Sequence, residues 1–200
     1  MAILVGVTGG ICSGKSTVLE ELKLLGHKIL KSDDIVHRLY EPGTEVHTAI
    51  TRRWGAAVTH HDGSVNKAAV ARQVFASHSD LQWLNQLIHP RVRRQIREES
   101  KQQTGPLFCE VPLLFEVGWE TDMHAIVAVW CKPHIQRERA ARRGWTPQQL
   151  QQREARQLTP DQKLERSDFG IINNENDDHG KRPLLQTQLV KMLEHIRKSL

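Results

Sequence analysis

A lysine and a serine stand together at Lys15-Ser16, closing the run Gly9-Gly10-Ile11-Cys12-Ser13-Gly14-Lys15-Ser16. Glycines at these intervals let backbone N–H groups curl around an anion, and a helix starting there adds partial positive charge. The ammonium of Lys15 would reach β- and γ-phosphates, and the Ser16 hydroxyl would ligate Mg²⁺ directly. Residues Gly10, Ile11, Cys12, Ser13, Gly14, Lys15, Ser16 and Thr17 are therefore expected to hold the phosphates of a nucleoside triphosphate. A phosphate loop alone does not separate kinases from switches or motors. Two further groups point to phosphoryl transfer: Asp33, a carboxylate able to orient or deprotonate an acceptor hydroxyl, and Arg137, Arg139, Arg142 and Arg143, spaced along one helix. Arginines on a closing lid neutralise the transferring phosphoryl group and exclude water from it.

Elements that could position these groups are legible in the hydrophobic pattern. Residues 3–7 form a short apolar run of the kind seen in buried parallel strands. Val18, Leu19, Leu22 and Leu25 follow at helical spacing, and Gly26 supplies a stop. A second strand is predicted over 27–31, ending at Ser32-Asp33-Asp34, with Asp34 expected to cap a helix over 34–40. On that strand Lys31 and Asp33 would share a face, where ammonium and carboxylate would pair. From 44 to about 103 the pattern is helical, one helix stopping at His89-Pro90 and a basic one continuing from Val92. Strands are predicted at 107–111, 125–130 and 169–172, with the arginine helix over 134–143, helix starts at Thr146-Pro147 and Thr159-Pro160, an Asn-rich loop over 173–178 and a terminal helix over 182–198.

Five strands separated by helices imply an α/β fold: a three-layer α/β/α P-loop architecture with a five-stranded parallel sheet. The expected organisation is a nucleotide-binding core (1–35, 105–135 and 164–200), a helical substrate-binding insertion (36–104) and a short lid (136–163). Ligands bind at the carboxyl ends of such strands, where the phosphate loop, Asp33, the segment after Val111 and Asn173 would meet. Glu110, ending the third strand, is open between holding the Mg²⁺ water shell and a structural role.

Composition narrows the setting. Net charge is +5 with pI about 9.3, yet the basic residues lie on two separate helices without interleaved aromatics, so nucleic acid is not an expected partner. Mean hydropathy of −0.50 and the absence of an apolar run near 20 residues argue against a membrane. The first strand begins by residue 3, leaving no room for a leader, and three scattered cysteines read as reduced thiols. A cytoplasmic monomer or weak homo-oligomer is expected. No Cys/His spacing resembles a zinc site.

Several blocks together resemble the dephospho-CoA kinase family, whose members complete coenzyme A synthesis. They are residues 7–11 running into Ser13-Gly14-Lys15-Ser16, Asp33 with Glu41-Pro42-Gly43, Leu87-Ile88-His89-Pro90, Val111-Pro112-Leu113-Leu114-Phe115-Glu116, Gln136 with Arg139 and Arg143, Gln157 with Lys163, and residues 168–173. The resemblance implies transfer of the ATP γ-phosphoryl group to the ribose 3′-hydroxyl of dephospho-CoA. It makes Asp33 the base and places Arg139 and Arg143 in the lid. It turns Thr8, His89, Pro112, Leu113, Leu114, Phe115 and Glu116 to the acceptor, and it sets Asn173 beside the adenine. The chain departs from the family at Lys31, where an aspartate is usual, and at Cys12, where glycine is usual. Cys12 is open between a tolerated small substitution and a redox-sensitive thiol. Two other classes stay in view: a kinase for a nucleotide or nucleoside, which leaves the His89-Pro90 and 111–116 blocks unexplained, and a nucleotide-gated binding protein. A dinucleotide oxidoreductase is excluded because the G-x-G-x-x-G frame is absent.

Overall fold

The structure, a computed structural model, describes residues 3–174 and 182–198. The part of the expected Asn-rich loop over 175–178 lies outside the described residues. The chain divides into two compact units, one running up to Leu30 and resuming at Gln102, the other Lys31–Lys101.

The first unit is built on a five-stranded parallel sheet of order β2-β3-β1-β4-β5, with β1 Leu4–Gly9, β2 Lys28–Lys31, β3 Leu107–Glu110, β4 Ala125–Trp130 and β5 Phe169–Ile172. Strand alternation assigns each face. Val5 and Val7 of β1, Phe108 of β3, and Val127 and Val129 of β4 share a core with Val18, Leu19 and Leu22 of α1 (Lys15–Leu24) and with Leu185, Leu189, Met192, Leu193 and Ile196 of α9 (Pro183–Lys198). On the other face, Gly6 leaves room for Leu114: a Cβ there would lie 2.5 Å from Leu114 Cδ1. Helices α6 (Pro133–Arg142), α7 (Pro147–Glu154) and α8 (Pro160–Glu165) follow β4. The Thr146-Pro147 and Thr159-Pro160 starts both form complete capping boxes, with Gln149 and Gln162 returning the bond.

The second unit contains α2 (Ser32–Leu39), α3 (Glu45–Trp54), a 3₁₀ turn over Gly55–Val58, α4 (Lys67–Ala76) and α5 (His78–Lys101). Two expectations fail here. Helix α2 begins at Ser32, so Lys31, not Asp34, is its N-cap, and Asp33 and Asp34 both lie in its first turn. Lys31 therefore sits at a strand end and Asp33 in a helix; they share no strand face and form no ion pair. Carboxylates in a first helical turn are favoured by the backbone dipole, which accounts for an earlier start than the cap reading allowed.

Nor does α5 stop at His89-Pro90: it runs unbroken for 24 residues with Pro90 inside. Leu84, Ile88, Val92 and Ile96 are buried at four-residue intervals across that proline. Each such burial contributes about 1.5–3 kcal/mol, which together exceeds the roughly 3 kcal/mol an internal proline costs a helix. Elsewhere in the unit Asp80 accepts from Arg53 at 2.6 Å and from Gln73 at 2.9 Å, and the Arg53 guanidinium lies 4.6 Å from the Trp83 ring centre. Replacing Pro90 with Ala restores an N–H able to close on the Gln86 carbonyl, so P90A should raise unfolding free energy by about 1–2 kcal/mol, measured by denaturant unfolding.

Candidate active site

The phosphate loop leaves β1 through two conformations that side chains resist. Gly9 has φ of +142°, and a Cβ on it would fall 2.2 Å from the Val129 carbonyl oxygen. Gly14, the N-cap of α1, has φ of +89°. Between them Cys12 adopts φ of +56°, the one non-glycine residue with positive φ among those described. Glycine takes this conformation freely, whereas a side chain costs about 1–2 kcal/mol there. Cys12 is thus strained as well as small. Its thiol is buried with Ala140 and Leu150, and Ile11 and Trp145 pack around them.

A second layer of contacts holds the loop from outside. Arg139 Nη1 donates to Ser13 O at 3.0 Å, and Arg139 Nη2 lies 3.4 Å from Asn173 Oδ1. Asn173, fully buried, donates through Nδ2 to Ser13 O and Gly14 O at 3.4 and 3.3 Å. Gln136 Nε2 donates to Ile11 O at 2.9 Å. Arg143 Nη1 lies 3.6 Å from Cys12 Sγ. Of the four arginines expected to face phosphate, Arg139 and Arg143 contact the loop, while Arg137 and Arg142 are exposed. Asn173, expected beside the adenine, bonds to the loop backbone.

Lys15 Nζ donates to the Gly9 and Gly10 carbonyls at 3.1 and 2.9 Å. Burial brings its pKa down to about 8; Glu110 and Cys12 oppose that shift, while Lys163 and Arg143 reinforce it. Glu110 therefore places a carboxylate within electrostatic reach of Lys15. Ser16 is exposed at the start of α1. Among the described residues no group of three His, Cys, Asp or Glu side chains could hold a metal.

The segment after β3 is tied down by a residue whose importance its block alone did not convey. Lys163, on α8 and wholly buried, donates to Pro112 O at 2.7 Å and Gln157 Oε1 at 3.2 Å, and pairs with Glu116 Oε1 at 3.0 Å. Thr8 Oγ1 donates to the same Pro112 carbonyl at 3.2 Å. Of the residues expected to face an acceptor, Leu113 is exposed. Leu114 is core against Gly6, Phe115 is buried with the Arg166 guanidinium 4.4 Å from its ring centre, and Glu116 is occupied by Lys163. A cavity of about 230 Å³ lies between Gly10 and Ile11 of the loop and Glu154, Gln157 and Pro160 of the α7–α8 connection. Asp33, exposed, and His89, half-buried with its pKa lowered by burial and by Arg93, belong to the second unit.

A phosphate loop between β1 and α1 of a parallel 2-3-1-4-5 sheet, clamped by arginine from a following helix, defines a P-loop kinase. The family model for dephospho-CoA kinase (CoaE) matches residues 3–179. The chain belongs to that family. It is 37% identical over 176 residues to the dephospho-CoA kinase of Symbiobacterium thermophilum, covering 86% of this chain and 73% of that one. It is 36% identical to the dephospho-CoA kinase of Yersinia pseudotuberculosis, covering 98% and 93%. Among solved structures, TT1252 from Thermus thermophilus superposes with a TM-score of 0.85 at 29% identity, covering 98% of this chain and 97% of that one.

The Lys15 geometry yields a pH dependence. An ammonium that loses its proton near pH 8 regains a reason to keep it when an anion binds, so affinity for inorganic tripolyphosphate should be level below pH 8 and fall above it. Calorimetry at pH 8.5 in buffers of different ionisation enthalpy should record net proton uptake on binding, absent in K15M.

Proposed function

We propose that this chain transfers the γ-phosphoryl group of ATP to the ribose 3′-hydroxyl of dephospho-CoA, giving CoA and ADP. The observation that carries the reading is the Lys15 loop clamped by Arg139 and Asn173, in a chain of the dephospho-CoA kinase family. Lys15 would leave the Gly9 and Gly10 carbonyls for the β- and γ-phosphates, exchanging neutral acceptors for charged ones. Arg139 and Arg143 would neutralise the charge that spreads over the equatorial oxygens during transfer. Asp33 would orient the acceptor hydroxyl and accept its proton, while His89, neutral at pH 7, would act as a hydrogen-bonding partner of the acceptor.

Mg²⁺ fits the donors present. One hydroxyl, Ser16, and one carboxylate, Glu110, suit an ion that takes its other ligands from phosphates and water. When bound it would supply charge neutralisation between β- and γ-oxygens. The work is proposed to take place in the cytoplasm, by a monomer or weak homo-oligomer. Among the described residues no helix is long and apolar enough to cross a membrane.

The test is ADP release with Mg-ATP, with and without dephospho-CoA, beside a panel of nucleosides and nucleotides. Dephospho-CoA should be the acceptor and CoA the product. Loss of a general base typically costs 10²–10⁴ in rate, so D33N should lower kcat by about that factor while ADP binding stays within about threefold. Release with a nucleoside acceptor alone would overturn the substrate.

A further inference from the structure

Every proton of the Lys163 ammonium is matched to an acceptor, two on the segment leaving β3 and one on the connection into α8. Pro112 O, at 2.7 Å, belongs to the segment leaving β3. Glu116 Oε1, at 3.0 Å, lies one turn further along it and also accepts from Leu158 N at 2.8 Å. Gln157 Oε1, at 3.2 Å, belongs to the connection into α8. Helix α8 itself abuts the phosphate loop: a Cβ on Gly10 would fall 2.8 Å from Pro160 Cγ. Asp161 fixes the same helix to β4 by accepting from Trp130 Nε1 at 2.8 Å. One buried cation therefore joins the strand-exit segment, the end of the lid and the wall of the phosphate loop.

A lysine used only for stability would be a poor choice here. Burying an ammonium carries several kcal/mol of desolvation cost, and an apolar side chain of similar volume commonly serves as well or better. What the charge supplies is direction. It fixes two carbonyl-type oxygens and a carboxylate at hydrogen-bonding distance, so segment 112–116 cannot slide along β1, where Thr8 shares the Pro112 carbonyl. We infer that Lys163 is a positioning residue for phosphoryl transfer, setting segment 112–116 and the lid connection against the phosphate loop while touching neither substrate. This rests on the kinase reading given above.

The experiment compares wild type, K163M and the double variant K163M/E116Q, which removes the charge without stranding the Glu116 carboxylate. A misplacement of about 1 Å can cost on the order of 10² in rate. Folded K163M/E116Q should thus bind ADP with full stoichiometry and affinity within about threefold of wild type, yet turn over dephospho-CoA with kcat lowered about 30–100-fold. If K163M fails to fold, the double variant decides. A folded double variant with wild-type kcat would overturn the inference, leaving Lys163 a packing residue. ADP affinity falling in step with kcat would overturn it too, assigning the residue to the nucleotide. Wild type lacking dephospho-CoA-dependent ADP release would instead refute the functional reading, a result separate from either.

Discussion

Room for backbone at one strand end governs the phosphate site. β1 and β4 are parallel neighbours with Gly9 paired to Val129, and the chain leaves β1 so close to β4 that the Val129 carbonyl occupies the space any Cβ on Gly9 would need. That exit turns the loop over the sheet edge and starts α1 at Lys15, so Ser16 stands at the helix start. Gly6, three residues earlier, meets the same demand on the sheet face by admitting Leu114. Both glycines serve by having no side chain.

Around the loop the protein uses charge inside, where it is costly. Lys15 and Lys163 are both buried enough for desolvation to lower their pKa values, and the charges of Lys163 and Arg143 lower that of Lys15 further. Glu110 and Glu116 offset this, one beside each lysine. The arrangement leaves a net demand for negative charge at the loop mouth, as a polyphosphate site requires. Arg139 and Asn173 keep the loop carbonyls occupied from behind, so the backbone N–H groups remain the side offered to an anion.

Much of this was legible locally. The glycine-lysine-serine spacing, the strand and helix flanking it, the two Thr-Pro helix starts and the three later strands depend on contacts within a few residues, and all appear near their expected bounds. Two helix boundaries were misread. Pro90 reads as a stop, yet four apolar side chains packed along α5 carry the helix through it. Asp34 reads as a cap, yet α2 begins two residues earlier. What the 111–116 block does not convey is its partners: Leu114 packs on Gly6 and Glu116 pairs with Lys163, 108 and 47 residues away in sequence.

By itself the sequence determined the chemistry on offer: a phosphate loop with its lysine and hydroxyl, a carboxylate in reserve and a family to which they belong. Those features are encoded by residue type and short spacing, because backbone conformation and helix initiation are decided within a turn or two. Tertiary structure alone decided the strand order, which two of four arginines meet the loop, and that Lys163 gathers Pro112, Glu116 and Gln157. Burial creates these outcomes: a buried charge must find partners wherever the fold brings them, and no local pattern records where that will be.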